Sequence, residues 1–169
     1  MLLGIRYSEV KDMWNKIKSY VISIAFSLGV GVLSALATMG NMDLYSEIAR
    51  PPLAPPSFLF PIVWTVLYIL MGISAAMVFK EKETQGEKVT HALAVYGINL
   101  FLNFFWSIIF FNFRTFLFAF LWLIALWITI IIMIIKFFRT KPLAAYLQIP
   151  YLIWVTFAGY LNLAIFILN

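Results

Sequence analysis

Hydrophobic and polar positions are distributed along the chain in long blocks. Five apolar runs, at 19–39, 58–79, 92–113, 116–138 and 143–168, are separated by short polar stretches. Crossing a hydrocarbon core of about 30 Å takes about 20 mainly apolar residues in a helix, and each run meets that length. The runs are continuous and lack the two-residue alternation of a barrel strand, so they predict helices. None contains Asp or Glu, and Lys136 is the only basic residue inside these limits, close enough to an end to snorkel. The pattern predicts an all-α integral membrane protein, a bundle of five transmembrane helices. The connections are short apart from 40–57 and 80–91, so no second domain is expected. The organisation is a leader over 1–18 followed by a membrane domain over 19–169.

Before the first run, Leu3, Tyr7, Val10, Trp14 and Ile17 recur at four-three spacing. That spacing suits an amphipathic helix lying on the membrane surface, or equally a short tail with no role of its own. Lys16 and Lys18 ahead of the run, with Ala35-Leu36-Ala37 within it, also fit a cleaved signal peptide. The run is longer than the usual apolar core of such a peptide, about 7–15 residues, which favours a span. Within it Ser23, Ser27, Gly31 and Ala35 form a small-residue stripe at spacing four. The stripe predicts close helix packing, with a neighbouring helix or a second copy as partner.

Composition agrees with this pattern. Of 169 residues, 64% are hydrophobic and 11% charged, against about 45–50% and about 25% in soluble domains. Mean hydropathy is +0.98. The net charge of +5 acquires a meaning once the charges are placed. Arg6, Lys11, Lys16, Lys18, Lys80, Lys82, Lys88, Lys136, Arg139 and Lys141 fall on one side of the membrane, leaving only Arg50 and Arg114 on the other. The positive-inside rule then puts the N-terminus in the cytoplasm and the C-terminus outside. The basic excess is a topology signal, and nucleic acid is not implied as a partner. With no Cys and a single His (His91), disulfides, thiolate sites and histidine metal clusters are excluded, and no metal or cofactor is expected.

Polar groups inside the spans are the places to look for function. The third run carries Asn99, Asn103 and Ser107 on one face with Trp106 beside them, the fifth carries Trp154, Ala158, Leu161 and Asn162, and the second carries Trp64, Thr65 and Tyr68. The asparagines could line a cavity or simply bond helices together. Trp64 and Trp122, near span ends, also suit an interfacial aromatic belt, whereas Trp154 lies too deep for one, and Trp127 reads as lipid or core packing. Between the first two runs, Arg50-Pro51-Pro52-Leu53-Ala54-Pro55-Pro56 predicts a stiff, extended path, a lid over the bundle or a rigid connector. No acid–base or nucleophilic set is present, nor a carboxylate inside a span to relay protons. The residues describe an aromatic, lightly polar cavity for an apolar ligand.

Three segments carry a resemblance. The proline run continuing into Phe58, Phe60, Pro61, Trp64, Thr65, Tyr68 and Gly72 resembles the first signature of the TspO/MBR family, the tryptophan-rich sensory and translocator proteins. Asn99, Leu102, Asn103, Trp106, Ser107, Phe110 and Phe111 are similar to its second, and Pro150, Tyr151, Trp154, Phe157, Ala158, Leu161 and Asn162 to its third. The resemblance implies a five-helix bundle, often a homodimer, that binds porphyrins such as protoporphyrin IX and in some members sterols or benzodiazepine-type ligands. It implies a site of Tyr45, Trp64, Tyr68, Asn103, Trp106, Ser107, Trp154, Ala158 and Leu161, with Pro55 and Pro56 in its lid. A sensor, transporter or scavenger role follows from it. So does an alternative in which Trp64 and Trp154 support light- and oxygen-dependent porphyrin breakdown, and a ligand-free assembly role is a third class. Leu44 stands where the family usually has Trp, and no Lys or Arg follows Tyr160, so the Tyr-then-basic sterol pattern of animal members is missing.

Overall fold

A computed structural model describes the backbone of residues 2–169 and the side chains of Trp14 and residues 17–169. Five helices are long and apolar enough to cross a membrane, and no strand occurs among the described residues. The first is α1 (Leu2–Thr38), prolonged by one 3-10 turn over Met39–Asn41. A short α2 (Leu44–Glu47) lies in the first connection. There follow α3 (Leu59–Phe79), α4 (Lys82–Ser107), α5 (Phe116–Phe138), α6 (Pro142–Tyr146) and α7 (Ile149–Leu168). The leader runs into the first span as one helix, while Leu3, Tyr7 and Val10 of its expected amphipathic face lie outside the described side chains.

Two boundaries differ from those expected. The twelve-residue connection over 80–91 is almost entirely helix, because α4 starts at Lys82, with a kink at Gln85 (φ −136°, ψ 40°). Lys, Glu and Gln are good helix formers, and hydropathy alone mistakes a helix projecting beyond the bilayer for a loop. The fifth run is broken into α6 and α7. Pro150 has no N–H to bond residue 146 and its ring crowds that carbonyl, so the first helix stops at Tyr146 and a new one starts at Ile149.

The helices form a ring: α1 packs on α3 and α4, α4 on α5, and α5 on α7, while α6 rests on α3 and α5. On α5 the buried residues Leu123, Leu126, Ile130, Met133 and Phe137 keep three-four spacing, yet the outward face is equally apolar, with Ile124, Ile128, Ile132 and Ile135 exposed. A helix apolar on both faces requires lipid outside. The small-residue stripe of α1 meets α3. A Cβ on Gly72 would lie 2.5 Å from Ile24 Cα, and one on Gly31 would lie 2.4 Å from the Tyr68 ring. Polar side chains add isolated ties: Ser74 Oγ donates to Ala144 O (2.7 Å), and Trp122 Nε1 donates to Leu102 O (2.8 Å).

Candidate functional site: an aromatic cavity within the bundle

One helical face supplies the centre of the site. On α4, Asn99, Asn103 and Trp106 follow at four-three spacing and are all buried. After Ser107 the backbone widens into a π turn, Ile108–Asn112, a local distortion frequent at functional sites. This turn brings both Phe110 and Phe111 to the cavity. Its Asn112 donates to Ala37 O (2.9 Å) and accepts from Asn41 Nδ2 (3.0 Å), tying it to the end of α1.

The cavity holds about 250 Å³ and is walled by α1, α3, α4 with its π turn, and α7. Its aromatic surface comes from Tyr45, Phe60, Trp64, Tyr68, Trp106, Phe110 and Phe111, and among the described residues none in the wall is ionisable apart from the tyrosines. Trp64 lies 5.7 Å from Tyr68, and Trp106 stacks on Phe110 at 5.5 Å. The floor is polar and internally satisfied. Tyr68 donates its hydroxyl to Asn103 Oδ1 (2.7 Å), and Asn103 Nδ2 donates to the Tyr151 hydroxyl (2.8 Å). Higher up, Trp106 Nε1 donates to Asn162 Oδ1 (3.3 Å), whose own Nδ2 donates to Phe116 O (2.9 Å). Val32 and Ala35 of α1 and Pro61 and Thr65 of α3 line the cavity and are exposed, so it reaches the outer surface of the bundle between these helices.

The proline segment, none of whose residues lines the cavity, is fastened at several points. Tyr45 donates to Pro55 O (2.9 Å) and Tyr160 to Pro52 O (2.8 Å). Ala49 N donates to Asn169 Oδ1 (2.9 Å), whose Nδ2 returns a bond to Ala49 O (3.2 Å). Arg114 pairs with Glu47 at 3.2 Å. The Arg50 guanidinium sits 5.8 Å from the Tyr45 ring centroid. Burial raises the Tyr45 pKa, and the Arg50 charge draws it partly back. The path is not extended throughout. Ala54 N bonds Pro51 O (3.2 Å) with Leu53 at φ 68°, the third position of a tight turn that favours Gly. Leu53 is 80% exposed, so its side chain contributes no packing. Leu53→Gly should therefore raise thermal stability, by about 1 kcal/mol for relief of the left-handed backbone. A melting temperature equal to or below that of the parent protein would refute this.

Of the expected site residues, Tyr45, Trp64, Tyr68, Asn103, Trp106, Ser107, Ala158 and Leu161 line the cavity together. Pro55, Pro56 and Trp154 lie outside its wall. Pro55 instead fixes Tyr45 through its carbonyl. Trp154 stands behind Phe60 with ring centroids 5.9 Å apart, its Nε1 buried without a partner. Trp127 bonds Thr156 Oγ1 (2.8 Å) on the lipid side. Sequence reasoning missed the α1 wall, where Leu28, Gly31, Val32, Ser34, Ala35 and Thr38 face the cavity. The signal was present in the small-residue stripe, of which Gly31, packed against the Tyr68 ring, and Ala35 border the cavity. The walls offer ring faces, hydroxyls and amides, groups suited to holding a flat apolar molecule. Among the described residues no three His, Asp or Glu side chains cluster as a metal would need.

The chain is 35% identical over 158 residues to the tryptophan-rich protein TspO of Chlorobaculum tepidum, covering 93% of this chain and 99% of that protein. It is 34% identical to the tryptophan-rich sensory protein of Cereibacter sphaeroides, covering 80% and 85%. It is 32% identical to the human translocator protein, covering 83% of each. The model of the TspO/MBR family matches residues 23–168. With its five apolar helices, this chain is a multi-pass integral membrane protein and belongs to the TspO/MBR family.

Proposed function

We propose that the protein binds tetrapyrroles of the protoporphyrin type within the membrane and acts as a sensor or carrier of them. The observation that supports this reading is the aromatic cavity with no carboxylate or basic side chain in its wall, closed below by hydroxyl and amide groups. Flat macrocycles gain from offset and edge contacts with Trp, Tyr and Phe rings. A cavity of about 250 Å³ takes part of a macrocycle, and the gap between α1 and α3 gives the remainder room. Propionate groups stay outside the apolar wall, where Arg50 above Tyr45 offers a charge-assisted partner. In the same reading the end of the bundle with ten of twelve Lys and Arg residues faces the cytoplasm, which puts the proline segment on the opposite side. Binding takes precedence over catalysis because the wall carries no carboxylate, histidine or lysine to pair with its tyrosine, serine and threonine hydroxyls as a catalytic set.

Titration with protoporphyrin IX, followed by tryptophan quenching and the porphyrin absorbance band, tests this reading. Trp64→Ala removes one ring face, and Ala158→Leu fills the wall where Ala158 is 7% exposed. The double variant should bind at least about tenfold more weakly, a loss of about 1.4 kcal/mol. An unchanged affinity in a folded double variant would show that the porphyrin does not use this cavity.

A further inference from the structure

Six hydroxyl-bearing side chains line the cavity, and four of them have spent their proton inside the protein. Thr38 donates to Ser34 O (3.0 Å), Tyr45 to Pro55 O (2.9 Å), Thr65 to Pro61 O (2.7 Å) and Tyr68 to Asn103 Oδ1 (2.7 Å). The lining amides of Asn103 and Asn162 each accept one bond and donate another. Ser34 and Ser107 are the exceptions, since among the described residues neither hydroxyl has a partner. Ser27 and Thr38 on the same helix as Ser34 bond back to the carbonyl four residues earlier, at 2.8 and 3.0 Å, the usual outlet for a helical hydroxyl. Ser34 does not. It is 5% exposed, yet its oxygen is not sealed within protein, so the hydroxyl opens onto the cavity.

The two free hydroxyls come from different walls. α1 and α4 belong to the first and third of five alternating spans and run in the same direction. The bond from Asn112 Nδ2 to Ala37 O (2.9 Å) fixes their relative height. Ser34 stands about one turn before Ala37, and Ser107 about one turn before Asn112, which sets both at a similar depth. One turn below Ser34, Gly31 rests against the Tyr68 ring, and Trp106, next to Ser107 in the chain, stacks on Phe110 at 5.5 Å. A ligand at this depth meets ring faces and two unspent O–H donors, in a wall where nothing but tyrosine ionises. Free donors in an apolar site are costly unless the occupant matches them, so the occupant is flat, uncharged there and rich in acceptors. The opening between α1 and α3, through Val32, Ala35, Pro61 and Thr65, lets a long apolar substituent trail into the bilayer.

We propose that this cavity binds a prenylated membrane quinone. Its planar ring lies between the aromatic walls, its carbonyl oxygens accept hydrogen bonds from Ser34 and Ser107, and its tail leaves between α1 and α3. The quinone is a second ligand class for the cavity and does not depend on the tetrapyrrole reading. Ser34 and Ser107 are its specificity-determining residues.

Decylubiquinone, isotope-labelled at both carbonyls and titrated into the full chain in nanodiscs, supplies the test. Tryptophan quenching should saturate. The infrared C=O stretch of the bound quinone should lie below that of the same quinone in protein-free nanodiscs, because a hydrogen bond weakens the C=O bond. In the Ser34→Ala, Ser107→Ala double variant, which removes only two cavity-facing oxygens, affinity should fall about tenfold, the equivalent of two ordinary hydrogen bonds. The quinone still bound should then show the unshifted carbonyl frequency. Quenching by the wild type that never saturates would overturn the proposal. So would a double variant that keeps both the affinity and the lowered carbonyl band. Protoporphyrin IX titrated into the same wild-type sample reports on the tetrapyrrole reading separately, since either ligand can bind without the other.

Discussion

Gly72→Ala should be among the most damaging single substitutions in the bundle, lowering stability by about 3 kcal/mol, at the upper end of the usual cost of overpacking. The added Cβ would sit 2.5 Å from Ile24 Cα, 2.8 Å from Ile24 N and 2.9 Å from Ser23 O. All three are backbone atoms and cannot rotate away, so α1 and α3 must separate along their whole contact. Gly97 is the internal control. A Cβ there meets nothing within 4 Å, and Gly97→Ala should gain up to about 1 kcal/mol from helix propensity alone. Thermal or denaturant unfolding in a mild detergent measures both. Indistinguishable melting of Gly72→Ala and Gly97→Ala would mean that the two helices do not touch through their backbones.

Asn103→Leu should cost a similar amount, for an electrostatic reason. Asn103 is 2% exposed and accepts from Tyr68 while donating to Tyr151, at 2.7 and 2.8 Å. Its loss leaves two buried hydroxyls unmatched, each worth about 1–3 kcal/mol when orphaned, and about 3 kcal/mol in total is expected. The decisive measurement is a rescue. In a background of Tyr68→Phe and Tyr151→Phe, the same Asn103→Leu change should be nearly neutral, because no polar group remains to be stranded. An undiminished penalty in that background would assign the effect to the shape of Asn103 and not to its bonds.

Much of this architecture is legible in the chain because lipid makes a simple demand. A span must be long, apolar and free of acidic groups, and all five runs announce themselves. Features that depend on backbone chemistry were partly legible. Pro150 marks the break before α7, but the start of α4 at Lys82 was hidden because a helix outside the bilayer has no hydropathic signature. The floor was foreshadowed by Asn99 and Asn103 on one helical face. Their pairing was not, since only the third dimension brings Asn103 between the hydroxyls of Tyr68 and Tyr151. Trp154 was expected on the cavity wall, but Phe60 is interposed, an outcome of long-range packing that no spacing rule reports. Leu53 at positive φ was likewise invisible, because its residue type argues against the turn it occupies.

On the binding function proposed above, the opening between α1 and α3, rimmed by Val32, Ala35, Pro61 and Thr65, changes which forces would discriminate among ligands. A molecule reaching the cavity through this gap has already left water, so its transfer out of solvent has been gained on partitioning into the acyl chains. Lipid tails are as apolar as Leu, and moving from them to the walls of the cavity yields almost no additional solvophobic gain. Selectivity then rests on what hydrocarbon cannot imitate: the quadrupoles of Trp64 and Trp106, the fixed width between helices, and the hydroxyl of Tyr68. On that reading greasiness would decide how much ligand the bilayer stores, and ring geometry which of it the protein holds.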